Sequence, residues 1–455
     1  MFIDKAIKAY QDGSFEVDGV LMVLIQRKTG GHDFKGTGHV RCGIDGSLVF
    51  KLIDPTWNGR LMFDNPRVEG FYTDDMYYDL EMKELGGAVW KSERILFRSD
   101  RSYESPGIIL SGNLPWIETT EDAGGDGYYR RLHFFKEHNI PTHKFSELGE
   151  DGFVRDKAEF KACGYEWVAL TREGSGETVI EALGDKAFPD KFDKRVEEAF
   201  QFLTAKTALV RAVYRRGPDG TGVKLIAPIF KVAESHFHPP IAEAHWLKHS
   251  LEAWRLFGDY LAYVLKTKKY YWNPVAFHLW NARETAFGSI DARAVGVAVA
   301  VEAVCSLVGN RDSNISSEKA GKLKNDAITW LQKQGEPPEV VNRIGAMFQR
   351  LAEKSTKDML EELASHRHIQ KSYATAWGML RNKYVHPKID ELQPPTESKQ
   401  NKTIQNTYKC EVLLYQLIMH VVGYKGHYTD YGTSGWDDKL YPDEAMPPNE
   451  SPPVF

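Results

Sequence analysis

Cysteine is scarce. Cys42, Cys163, Cys305 and Cys410 are the four in 455 residues. They lie far apart with no CxxC pair, which argues against a zinc ribbon or a disulfide framework and fits a reducing compartment. Long apolar runs are missing as well. The longest candidate, Ala294 to Val308, falls short of the roughly 20 residues needed to cross a bilayer. It carries Glu302 and is expected to be a buried core helix. The opening MFIDKAIKAYQDGSF lacks the charged-then-apolar pattern of a signal peptide. The expectation is a cytoplasmic protein with no membrane partner. Excess positive charge is absent too: the net charge is −5 and the pI near 6.3. Any nucleic-acid contact therefore has to come from a local basic patch. No repeat of solenoid period is found. The GTG at Gly36 has neither a following helix nor a Walker lysine, so a phosphate loop is not expected.

What is present divides into two textures. Residues 1–235 read as strands and turns with at least one helix, as one or two domains. Residues 14–26 form a β-rich run, and Asp45-Gly46 sits between two strand-like runs as a hairpin signal. AVWKSERILF and GIILSG repeat the style. YEWVAL and ETVIEAL flank Gly174-Ser175-Gly176, and GPDGTG separates two further strand-like runs. A sandwich or barrel-like sheet is expected. FDKRVEEAFQFLTAKT has the helical spacing Phe192, Val196, Phe200, Leu203.

After His238-Pro239-Pro240 the periodicity turns helical. Leu247, Leu251, Trp254, Leu261 and Leu265 are expected to line one side of a long helix. One or two helices follow over 274–308, then others over 326–334, 339–351, 357–364, 372–385 and 401–422, separated by Gly-Pro and polar joints. The fold class expected is multidomain α+β: a β-rich N-terminal half, an all-α bundle over 240–425, and an irregular tail over 426–455.

The segment with chemistry in it is Arg381-Asn382-Lys383-Tyr384-Val385-His386. Pro387 disfavours helical geometry at His386, placing that residue at a helix C-terminus, where carbonyls and the macrodipole favour an imidazolium. At about 100° per residue, Asn382 and His386 share a face. Arg381 lies further round, but its long side chain can reach back. These types suit phosphodiester cleavage. Histidine passes protons near neutral pH, arginine offers a fixed fork to phosphate oxygens, and asparagine orients either. The ribose 2′-OH supplies an internal nucleophile, so no metal or cofactor is needed if a cation stabilises the transition state. A plainer reading is an Arg and a His that only cap a helix end.

The string RNKYVHP resembles the signature of the HEPN superfamily: arginine, usually a polar residue, three variable positions, then histidine. The order of helices around it is also similar. NARETAFGSIDARAVGVAVAVEAVCSLV resembles the early HEPN helix, on which Glu302 matches an acidic residue facing the active site. A β-rich region ahead of such a domain resembles the ApeA-like architecture of anti-phage defence. The helical resemblance spans roughly residues 240–425. It implies a metal-independent endoribonuclease that works as a homodimer, with two motifs facing each other. It would cut host RNA, often tRNA in this class, in abortive infection. The N-terminal region would sense a phage-derived trigger or restrain the nuclease. The alternative is a non-enzymatic HEPN-like dimerisation or binding protein with a β-rich ligand- or protein-binding module.

Other polar clusters carry weaker readings. His366, Arg367 and His368 precede the motif helix and are candidates to touch RNA phosphate. Lys383 is a further RNA-binding candidate, and Tyr384 could stack a base or pack in the core. Lys322, Lys324, Arg343 and Arg350 scatter basic charge. His236, His238, His245 and His249 cluster at the change of texture. His245 and His249 have the i, i+4 spacing of helical metal ligands, but no cysteine or HExxH glutamate accompanies them. Capping and interdomain contacts are expected there rather than metal.

Overall fold

The structure, a computed structural model, describes residues 2–43, 45–58, 72–100, 107–122, 124–147, 153–171, 176–228, 237–308, 312–313, 315–385 and 396–442. It divides into two compact units. The first is Met1–Glu197 with Thr207–Val232; the second is Glu198–Lys206 with Ala233–Phe455.

The first unit is β-rich. After helix α1 (Phe2–Gln11) come β1 (Glu16–Gln26), β2 (Phe34–Cys42), β3 (Leu48–Asp54), β4 (Tyr78–Glu84), β5 (Val89–Ile95), β6 (Arg98–Asp100), β7 (Ile108–Leu114) and β8 (Trp116–Glu121). Then follow β9 (Tyr128–Phe134), β10 (Lys144–Glu147), β11 (Phe153–Ala162), β12 (Tyr165–Thr171), β13 (Thr178–Gly184), helix α2 (Phe192–Thr204), β14 (Ala212–Gly217) and β15 (Gly220–Ile226). All fifteen strands belong to one sheet, in the order β10-β11-β12-β13-β9-β14-β15-β8-β5-β4-β1-β2-β3-β7-β6, and their pairings are antiparallel. Open sheets of this size curl. Here Met22, Leu24, Val40, Phe50, Leu80, Trp90, Leu110, Ile117 and Leu225, from consecutive strands of that order, share one core with Ile3, Ile7 and Tyr10 of α1. Buried and exposed residues alternate along β3, as a sheet with one wetted face requires. The hairpin expected at Asp45-Gly46 joins β2 to β3, and Gly46 adopts φ 77°, a left-handed turn position natural to glycine.

The chain passes between units at Val232–Ala233, close to the expected boundary at residue 235, but part of α2 lies on the other side of that division. The second half of α2 belongs to the helical unit, because its side chains are committed there. Phe202 stacks on Tyr260 at 4.2 Å. Arg283 donates to the Gln201 carbonyl at 2.7 Å and to its side-chain oxygen at 2.8 Å.

The second unit contains α3 (Trp246–Val264), α4 (Pro274–Thr285), α5 (Ile290–Val308), α6 (Ser317–Lys333), α7 (Pro338–Gln349), α8 (Thr356–Ser365), α9 (Lys371–Val385) and α10 (Glu397–Val422). The core helix expected over 294–308 is the greater part of α5, with Ala294, Val297, Val301, Val304 and Cys305 fully buried. It packs against α4, α9 and α10. Among the described residues no helix is long and apolar enough to cross a membrane.

Two expectations fail in this unit. Residues 426–441 are not irregular: β16 (Gly426–Asp430) and β17 (Asp437–Tyr441) form an antiparallel hairpin, so the unit is not all-α. Asp430 is fully buried there. It accepts from Tyr373 at 2.5 Å, Lys439 at 2.6 Å and Gln370 at 3.2 Å. The hairpin buries Thr429 and Asp430 beside the rings of Tyr428 and Tyr441, and its Gly- and Asp-rich composition hid a packed element. The second failure is the Leu247–Leu251 stripe. Both side chains are exposed, while Trp246, His249 and Ser250 are buried instead. His249 departs from helical dihedrals, with φ −115° and ψ 28°, and hydrogen bonding of its ring overrides the apolar pattern.

Candidate functional site

Helix α9 brings the motif to α5. Trp377 is buried and donates its indole N–H to the Ala298 carbonyl at 3.0 Å, which fixes the facing of the two helices. One turn further on, Arg381 meets Glu302 in a two-pronged pair: Nε to Oε2 at 2.9 Å and Nη2 to Oε1 at 3.3 Å. Neither side chain is buried, at 31% and 39% exposed, so this is not a core ion pair. The hydrogen bond to Glu302 raises the guanidinium's pKa above its ordinary value, which keeps the cation fixed at any working pH. Glu302 and Arg381, each a candidate active-site residue and 79 positions apart in the chain, are thus brought together.

Two cavities share Trp377 and Arg381 in their linings. One, of about 450 Å³, is lined by Glu302, Ser306, Lys354, Ser355, Trp377 and Arg381 among others. The other, of about 530 Å³, includes Lys357, Lys371, Trp377, Arg381 and Asn382. The second carries three cations against the carboxylate of Glu361, so local charge there is positive although the whole chain is acidic. Asn382 is exposed. His386 lies outside the described residues; the described part of α9 ends one residue before it.

The neighbouring candidates are placed differently. Lys383 donates to the Tyr384 hydroxyl at 2.8 Å and to Thr403 at 2.9 Å, while Tyr384 donates to Asp291. Both half-buried side chains are thus engaged with neighbouring helices, Lys383 with α10 and Tyr384 with α5. His366, Arg367 and His368 sit at the α8–α9 corner. Arg381 is ten residues beyond the start of α9, roughly 15 Å along a helix, so the structure does not bring these three to it. The rings of His368 and His420 lie 4.1 Å apart. Burial, with repulsion from a neighbouring histidine, lowers both pKa values below the ordinary imidazole value, which disfavours a cationic phosphate contact there.

Arg367 has a structural duty. It takes φ 63°, and the His368 N–H bonds the Leu363 carbonyl at 2.9 Å while its own N–H bonds Ala364 at 3.1 Å. These bonds make a Schellman stop, a place where glycine is usual. Arg367→Gly is expected to keep the fold and stabilise it by about 0.5–1 kcal/mol in urea unfolding, since the left-handed penalty outweighs the added chain entropy. A loss of stability would show the arginine side chain to be the anchor.

The histidines near residue 240 were grouped by sequence, and the structure separates those it describes. His236 lies outside the described residues. His238 joins Glu411 at 3.2 Å, His245 joins Thr429 at 3.0 Å, and His249 joins Asp438 at 2.7 Å. Their partners on α10 and the hairpin are distant in sequence, and no spacing pattern near residue 240 could have named them.

No protein-family model, curated protein or solved structure matches the chain.

Proposed function

We propose that the helical unit is a metal-independent endoribonuclease whose active centre is built from Arg381, Asn382, His386 and Glu302. The observation that supports this reading is the two-pronged Arg381–Glu302 pair, half-open to solvent, whose arginine lines two cavities. A carboxylate and a phosphodiester both present two oxygens to a guanidinium fork. Glu302 therefore holds Arg381 in the orientation that a scissile phosphate would use, and gives way when RNA arrives.

The chemistry follows from the residue types. The 2′-OH loses its proton to a base and attacks the adjacent phosphorus. The new P–O2′ bond forms as the P–O5′ bond breaks, and an acid protonates the leaving 5′-oxygen. His386 of one chain serves as base and its copy in a second chain as acid, so a homodimer through the helical unit completes the centre. Arg381 neutralises charge on the pentacoordinate phosphorus. The β-rich unit would hold the nuclease inactive until a phage-derived trigger appears, and host RNA such as tRNA would be the target of an abortive-infection response.

The test is the chemistry of the cut ends. Cleavage in excess EDTA should proceed at the rate seen without it and leave 2′,3′-cyclic phosphate and 5′-hydroxyl ends. Ends bearing a 3′-hydroxyl would show an activated water as nucleophile and overturn the mechanism.

A further inference from the structure

In the β-rich unit two bent strands, β5–β6 and β7–β8, run antiparallel in one register. Trp90 and Lys91 pair with Thr119 and Glu118 at one end, and Arg98, Ser99 and Asp100 pair with Ser111, Leu110 and Ile109 at the other. Between those ends, residues 92–97 and 112–117, all of them described, form no ladder with each other. Each segment keeps its other neighbour: Ser92 and Ile95 pair with β4, and Gly112 to Leu114 with β3. The sheet is split along one seam and intact on both sides of it. Two features account for the split. Pro115 has no N–H to give a ladder. On the other strand Glu93 and Arg94 stand opposite Asp79 alone, which makes a β-bulge.

The bulge fixes a side chain. Arg94 takes φ 55°, a left-handed conformation uncommon outside glycine, and its N–H donates to Asp79 Oδ1 at 3.1 Å. Bulges re-aim side chains, and residues held in such conformations cluster at ligand clamps and active sites. Here the guanidinium lies over the Tyr77 ring, 4.8 Å from its centroid. Its approach to Asp74 is 3.7 Å, beyond hydrogen-bond range.

A cavity of about 790 Å³ occupies the seam. It is larger than either cavity at Arg381 and of a size that holds a small molecule. Arg94, Arg98, Ser111, Asn113, Tyr72 and Tyr77 line it, with apolar residues between them and no carboxylate. Two cations without an acid in the lining, in a chain of net charge −5, mark a site for an anion. Tyr72, 48% exposed, and Tyr77 add aromatic surface. Their rings meet edge to face at 6.3 Å. Arg94 already covers a face of Tyr77, which leaves Tyr72 to stack a ligand ring.

We propose that this seam binds a nucleotide, with its phosphates on Arg94 and Arg98 and its base on Tyr72. A guanidinium fork matches phosphate oxygens two at a time, and every base has a face to stack on an aromatic ring. Ser111 and Asn113 offer donors and acceptors to the sugar and the base edge. A bare anion would leave the tyrosines unused, and a neutral ring would leave the two arginines unused. The site lies within the β-rich unit, and its occupancy is measured without reference to RNA cleavage.

The experiment is calorimetric titration of the full chain with ATP, GTP, CTP and UTP in buffer containing EDTA, beside adenosine and tripolyphosphate. One equivalent of at least one nucleotide is expected, bound at least about tenfold more tightly than adenosine or tripolyphosphate and weakening as salt is raised. Arg94→Gly suits the left-handed backbone, so it removes the cation while keeping the bulge. It should weaken binding about 10–100-fold, the loss of one charge-assisted donor. Arg98→Gln should do the same, and Tyr72→Ala should cost about 5–100-fold. A wild-type chain that binds none of the four nucleotides at roughly 1 mM would overturn the proposal. So would tripolyphosphate binding as tightly as the best nucleotide, which would mark a bare anion patch. Nucleotide binding undiminished in both arginine variants would place it elsewhere and overturn it too, as would a short single-stranded DNA that displaces the nucleotide at lower concentration, the behaviour of a groove for a strand.

Discussion

Alanine at Arg381 or at His386 should each lower RNA cleavage by at least about a thousandfold, the combined reach of a lost charge clamp or a lost proton carrier. Stability should barely move. Arg381 is a third exposed and its pair with Glu302 is half-open, so removing it should cost less than about 1 kcal/mol. Arg381→Lys separates charge from shape. Lysine keeps the cation but loses the planar fork, and should recover only a small part of the activity. Cleavage by purified protein, read beside the urea midpoint of each variant, checks all three. His386→Ala protein that cuts RNA at the wild-type rate would sink the assignment. So would an Arg381→Ala protein that loses activity only because it unfolds.

The sequence carried much of this arrangement in periodic form. Turn dipeptides located the hairpins at Asp45-Gly46 and around residues 217–220, and apolar spacing located α2, α5, α9 and α10. Those signals are local: a glycine with φ > 0, or one face of a helix. What stayed hidden depends on partners far along the chain. The hairpin at 426–441 buries Thr429 and Asp430 beside Tyr428, Tyr431 and Tyr441, a mixture with no regular apolar alternation to mark it as packed. Leu247 and Leu251 misled because an apolar stripe signals burial only when something covers it. The helix instead buries His249 against Asp438, 189 positions away. Helix α1 was overlooked although Ile3, Ile7 and Tyr10 fall at helical spacing, because it is only ten residues long and precedes a run of strands. The Arg381–Glu302 pair stands between these cases. Each residue was singled out by chemistry and resemblance, and the packing of α9 on α5 supplies the distance.

Arg293→Ala should destabilise the helical unit by about 3–5 kcal/mol, because it strands a charge in the core. Glu411 on α10 is fully buried. Its carboxylate is held by Arg293 of α5 at 2.5 Å and lies 3.2 Å from His238. The His238 ring stacks on Tyr431 at 4.5 Å. Coulomb attraction alone does not make such a cluster stabilising, since desolvating both partners costs a comparable amount. The penalty appears when one partner is removed. The double variant Arg293→Met/Glu411→Leu should accordingly recover most of the loss and stand within about 1–2 kcal/mol of wild type. Arg293 and Glu302 share α5, nine residues apart, or about 13 Å along the helix. A double variant that keeps α5 against α10 should also keep Glu302 beside Arg381, and with it RNA cleavage at close to the wild-type rate. Urea unfolding of the two singles and the double forms a complete cycle. If Arg293→Ala costs less than about 1 kcal/mol, the pair is not what holds α5 to α10, and the placement of Glu302 has to be traced to Trp377 and its bond to Ala298 alone.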